Sequence, residues 1–192
     1  MTQIFLGYIL AFFHIKINGF DLLPNFLGYI FIVVGLAKLE GIHFKKAKPF
    51  AVFMAINSLL FTIGGLMGPS FDGDIFAFYN LFTAVIWIYT SYLIVLGIKD
   101  LEIITGRQLG FQKLFTIWKI QTILQVITRL SIFTQNEILM YLASMFTPIW
   151  IAMNVIYLVY FYRAKTIYEN KNDSNHIKVD EAIKPESVKK LV

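Results

Sequence analysis

The stretch IFAFYNLFTAVIWIYTSYLIVLGI, from Ile75 to Ile98, contains no charged residue. Coiled into an α-helix it rises roughly 36 Å, more than the hydrocarbon thickness of a bilayer at about 30 Å. Helix is the state that suits it, because an isolated strand in lipid leaves its backbone groups unpaired and a barrel strand alternates apolar with polar residues. Working outward, five further apolar runs are bounded by charges or turn residues: Ile4 to Ile17, Leu22 to Leu39, Pro49 to Leu66, Leu114 to Phe133 and Ile138 to Tyr162. Over its 192 residues the chain is 57% hydrophobic and 15% charged, so its apolar excess must face lipid rather than a soluble core. The expected fold is therefore all-α: one polytopic transmembrane helical bundle of six spans over residues 1–165, followed by a mobile tail over 166–192.

Basic residues are retained on the cytoplasmic side of short connections, and here they are strongly one-sided. The second connection holds Lys38, Lys45, Lys46 and Lys48, the fourth Lys99, Arg107 and Lys113, and the tail opens with Arg163 and Lys165. The alternate connections carry Lys16 alone, two aspartates (Asp72 and Asp74), and Glu137. This pattern places both termini inside. Gly68, Pro69 and Gly73 mark the third connection as an external turn, and Gly106 is the expected stop for a fourth helix that continues to Thr105.

Other classes of function lose support on composition. With no cysteine there is no disulfide, thiolate nucleophile or Cys-based metal centre. The net charge of +5 comes from lysines beside apolar blocks, which suits anionic headgroups better than nucleic acid. His14, His43 and His176 fall in different regions, so no metal or cofactor site is expected. No carboxylate lies well inside a span, which argues against a proton-coupled carrier, and the usual hydrolase and nucleotide-binding motifs are missing. An enzyme is not expected. The start has neither a basic region nor a small-residue cleavage site and reads as a retained span.

The first span is short: as a helix, Ile4 to Ile17 rises about 21 Å. Its connection to the second, from His14 to Asp21, is expected near the outer interface with Lys16 and Asp21 close together, either as an anchor that fixes the helix ends or as an ion or solute site. Asp21 and Pro24 read as a helix start. FDLLPNFLGYI, from Phe20 to Ile30, and GLAKL, from Gly35 to Leu39, resemble a segment shared by small uncharacterised integral membrane proteins of Gram-positive bacteria. The resemblance implies a bacterial plasma-membrane location and no particular activity.

Polar residues inside spans are the functional candidates. Gln121, Gln125 and Arg129 recur at four-residue spacing on one face of the fifth span, with Thr122 and Thr128 beside them. Asn57 with Ser58, Asn80 with Thr83, Thr90 and Ser91, and Asn154 are expected to point inward from other spans, since an amide in lipid needs partners. Two readings fit these residues, interhelical glue with a snorkelling arginine or a stripe that faces a solute. Trp118 and Tyr157 suit the inner aromatic belt, Trp87 and Trp150 lie deeper, and Pro148 marks a kink in the sixth span.

Two functions follow from different classes: a small-solute binding or transport module in which Arg129 holds an anionic group, or an accessory or regulatory protein that acts through contacts with other membrane proteins. In size and span count the chain is similar to the substrate-binding subunits of energy-coupling-factor vitamin importers, a likeness of dimensions rather than of motif. The orientation is testable because the chain lacks cysteine. In intact cells an impermeant thiol reagent should label Asp72→Cys and spare Lys46→Cys; the opposite pattern overturns the orientation.

Overall fold

The computed structural model describes residues 1–12, 16–17, 20–21, 25–66, 73–134 and 137–183; among the side chains outside it are those of 16, 17, 20 and 21. Its elements in chain order are α1 (Thr2–Phe12), β1 (Lys16–Ile17), β2 (Phe20–Asp21), α2 (Asn25–Ala37), α3 (Ile42–Leu66), α4 (Gly73–Thr105), α5 (Phe111–Thr134) and α6 (Glu137–Ile183). Apart from the two-stranded ribbon, the described chain is helical. Within α3, α4 and α6 the stretches Ile42–Ile63, Phe78–Thr105 and Met140–Asn170 are long and apolar enough to cross a membrane, which makes this a membrane protein by helix length and composition.

The other three helices do not match the expected spans, of which the first is short in the sequence itself. As described, α1 has 11 residues and rises roughly 16 Å, and α2 has 13 and rises roughly 20 Å; residues 13–15 and 22–24 of the runs expected at Ile4 to Ile17 and Leu22 to Leu39 lie outside the described residues. Between them the backbone leaves the helix for the ribbon, whose antiparallel register pairs Lys16 with Asp21 and Ile17 with Phe20. Asn18-Gly19, the sequence between the strands, is the strongest local signal for a two-residue hairpin and lies outside the described residues. Along the backbone Lys16 pairs with Asp21, and the described part of α2 begins at Asn25; Pro24, expected in its first turn, lies outside the described residues. Helix α5 has ample length at 24 residues, but Gln112, Lys113, Lys119, Gln121, Gln125 and Arg129 interrupt its apolar character.

Two helices run further than expected. Helix α3 starts at Ile42 and contains Pro49, because Phe44, Ala47, Ala51 and Met54 already form its buried face while Lys45, Lys46 and Lys48 point outward. Helix α6 continues as regular helix to Ile183, where an irregular tail was expected from 166. Its first added turn is held by Lys165 and Glu169, an i, i+4 pair at 3.6 Å.

Consecutive helices pack on each other and α6 returns to α1, closing the bundle. The tightest seam is between α1 and α2. A Cβ added to Gly7 would lie 2.6 Å from the Gly28 carbonyl oxygen, one at Gly28 would lie 2.9 Å from the Ala11 nitrogen, and one at Gly35 would lie 2.5 Å from the Ile4 side chain. Glycine is required because backbone meets backbone. On α4, Gly97 similarly leaves room for the buried Phe44 ring of α3. Above these contacts Tyr8 packs against Trp87, Tyr157 and Phe161 with ring centroids 5.6, 5.4 and 5.5 Å away, so α1 joins α4 and α6 through aromatic rings.

At the lysine-rich end, three helices begin against carboxylates supplied by other helices. Asp100 of α4 accepts the His43 backbone N–H at 3.0 Å and the His43 ring Nδ1–H at 2.9 Å, at the start of α3. Glu102 accepts the Gly110 and Phe111 N–H groups at 2.8 and 3.0 Å, at the start of α5. Glu169 of α6 accepts the Thr2 N–H and hydroxyl at 3.0 and 2.7 Å, at the start of α1. Each carboxylate satisfies orphan donors and complements the positive end of a helix dipole. Gly106 ends α4 with φ +66°, as its position suggested, and Gly41 precedes α3 with φ +144°.

The α1–α2 seam sets a clear expectation. Gly28→Val should lower unfolding stability in detergent by about 1–3 kcal/mol, because its added methyls meet backbone atoms that cannot move aside. A variant that melts like the parent protein contradicts the close approach.

Candidate solute-binding site

The inward faces of the helices leave two cavities: α1, α4, α5 and α6 border both, and α2 and α3 also border the larger. The smaller, about 10 Å³, is bordered by Tyr8, Ser91, Trp118, Gln121, Gln125 and Tyr157 among others. Such a volume holds about one water molecule. The larger, about 180 Å³, is bordered by Asn25, Tyr29, Trp87, Gln125, Arg129 and Trp150, with Phe12, Met54 and Thr83 completing its wall. Phe12, Trp87 and Gln125 belong to both linings and form the partition between the two spaces.

The four-residue spacing of Gln121, Gln125 and Arg129 becomes a vertical ladder in the structure. Gln121 is buried at the level of the small cavity, Gln125 touches both cavities, and Arg129 borders the large one. The Gln121 side-chain N–H donates to the Asn154 carbonyl oxygen on α6, and the Asn154 side-chain N–H donates to the Trp150 backbone carbonyl at 2.8 Å. These two candidates are therefore interhelical glue. Gln125 and Arg129 face space instead. Arg129 is half-buried and, among the described residues, no carboxylate pairs with it. Asn57 and Asn80 line neither cavity; both are half-buried, on α3 and α4. The Lys16 and Asp21 side chains lie outside the described residues.

Several aromatic residues depart from their expected places. Trp118, expected in the interfacial belt, turns inward and donates its indole N–H to the Ser91 hydroxyl at 2.9 Å. Tyr157, expected in the same belt, is only 1% exposed. Its hydroxyl and that of Tyr8 are buried near each other without the geometry of a hydrogen bond, and both residues border the small cavity. One water there can serve both hydroxyls, since a buried water needs two to four polar partners and about this much room. Trp150 carries a buried indole N–H that has no protein partner, and it borders the large cavity. The sequence offered a signal for the wall in Trp87 and Trp150, which are deeper than an interface belt allows. It offered none for Tyr29, which belongs to the short α2.

As a chemical environment, the large cavity combines one cation with aromatic walls. Tyr29 meets Trp87 edge to face at 5.3 Å and 72°, and Phe12 meets it at 6.4 Å and 85°. Among the described residues no acidic side chain borders it. Among the described residues no group of His, Asp and Glu side chains is arranged to hold a metal ion, and His43 is engaged by Asp100.

The Gln121–Asn154 bond should contribute modestly, as interhelical hydrogen bonds in membranes do. A double-mutant cycle on Gln121→Ala and Asn154→Ala, read by unfolding in detergent, should give a coupling of about 0.6–1.7 kcal/mol. Additive losses would mean that the bond does not join α5 to α6. No family model, curated protein or solved structure matches this chain.

Proposed function

We propose that the chain is a solute-binding or transport module of the bacterial plasma membrane, with six crossings and both termini in the cytoplasm, and that it takes a small anionic solute. The observation that supports this reading is Arg129, a half-buried cation that borders a cavity of about 180 Å³ with no carboxylate partner among the described residues. A structural arginine at such depth is ordinarily neutralised by a neighbour or extended to the headgroups. Space in front of an unpaired guanidinium is what an anion needs, because the guanidinium presents several N–H donors in a fixed fork.

The membrane arrangement has its own support. Three N-terminal helix ends, at Thr2, His43 and Gly110–Phe111, share one end of the bundle with Lys45, Lys46, Lys48, Lys99 and Arg107, so α1, α3 and α5 start where the basic residues collect. Odd-numbered helices leaving the basic side agree with cytoplasmic termini under the positive-inside rule. Helices α1 and α2 are too short to cross by themselves, and the ribbon beyond them extends the reach of that hairpin.

A thermal-shift screen of the purified protein against small organic and inorganic anions tests the reading. At least one should raise the melting temperature by mass action, equivalent to about 2.7 kcal/mol when present at a hundred times its dissociation constant. Arg129→Gln should melt like the parent without ligand and lose the gain with it. A broad panel without effect, together with a stable co-purifying membrane protein, would favour the accessory role instead.

A further inference from the structure

We infer that the large cavity selects a monocarboxylate that carries one planar apolar ring or a side group of that size. This rests on the reading of Arg129 as an anion site and goes further, to the class of molecule. Three observations lead to it. The volume of about 180 Å³ is close to that of engineered apolar cavities of about 150 Å³ that admit benzene, and it is far too small for a whole lipid. Four aromatic rings, Tyr29, Trp87, Trp150 and Phe12, border the space beside Met54, an adaptable apolar filler, and the polar side chains of Asn25, Thr83 and Gln125. Among the described residues the charged lining is a single arginine, with no second cation and no acid.

Each observation removes a class of solute. One guanidinium matches one carboxylate in a bidentate pair, whereas a phosphate or sulfate that carries two charges needs further cationic donors that this wall does not supply. Amines and metal cations meet repulsion from Arg129 and find no acidic ligand. A small hydrophilic acid such as acetate leaves the aromatic surface wet and forgoes the burial of an apolar face, which contributes roughly 25 cal/mol per Å² removed from water. The buried Trp150 indole N–H, which lacks a protein partner, adds a neutral donor on the same wall.

Benzoate is the probe, with acetate, benzamide, benzylamine and inorganic phosphate as comparators, and the purified full chain in detergent as the receptor. Because Trp87 and Trp150 border the cavity, intrinsic fluorescence reports occupancy alongside thermal stability. Benzoate should bind saturably and at least tenfold more tightly than acetate, which lacks the ring, and than benzamide, which lacks the charge. Arg129→Gln should bring benzoate down to the level of benzamide, and Arg129→Lys, which keeps the charge without the fork, should fall between. Equal binding of acetate and benzoate, or preference for phosphate, overturns the ring selectivity while leaving an anion site in place. Equal binding of benzamide and benzoate, a preference for benzylamine, or no binding by any probe overturns both this inference and the anion reading beneath it.

Discussion

The backbone contact of α1 with α2 is the constraint on which the rest of the bundle depends. Gly7, Gly28 and Gly35 let the two short helices approach until backbone atoms touch, and only this closeness brings Tyr8 and Phe12 to the centre while α2 carries Tyr29 alongside. In lipid no hydrophobic force drives such an approach, since the tails are as apolar as the side chains they replace. Van der Waals contact over the whole seam must supply the attraction, and a single methyl group between the backbones removes much of it. With α1 fixed in this way, its aromatic residues reach α4 and α6 and shape both cavities.

The second constraint lies at the basic end. Asp100 and Glu102 in the last turns of α4 and Glu169 within α6 serve the first turns of α3, α5 and α1, so the even-numbered helices that reach this end hold the ones that begin there. This accounts for the presence of acidic residues at a membrane face that otherwise collects lysine and arginine. Each carboxylate is worth about 1 kcal/mol as a cap, and each also fixes the axial register of two neighbours. The basic residues between them rest partly on aromatic faces, Lys99 on Phe111 and Lys119 on Phe115 at 5.8 and 4.9 Å.

Between these two constraints the polar stripe of α5 divides by depth. Gln121 is consumed by Asn154, which leaves its neighbour one turn on, Gln125, as a partition and Arg129, one turn further, as a cation facing space. The same three residues thus contain both a structural and a binding reading, and their separation depends on what α6 and α2 present opposite them. Asn57 and Asn80 share the amide chemistry of Asn154 and lie away from the cavities, which shows that residue type inside a span does not by itself assign a site.

The helical class, the six helices and the stop at Gly106 were legible in the sequence. They depend on composition and local spacing, and lipid leaves little other choice for the backbone. The short first span and its connection from His14 to Asp21, which contains the Asn18-Gly19 pair, were also legible in the sequence. The inward turn of Trp118 and Tyr157, the carboxylate caps and the pairing of Gln121 with Asn154 belong to the tertiary structure. Each joins residues far apart in sequence: Asp100 reaches His43 across 57 positions and Gln121 reaches Asn154 across 33. Periodicity along one helix reports which residues share a face, but which helix stands opposite, and whether it brings a partner or leaves a cavity, is decided only when the six pack together.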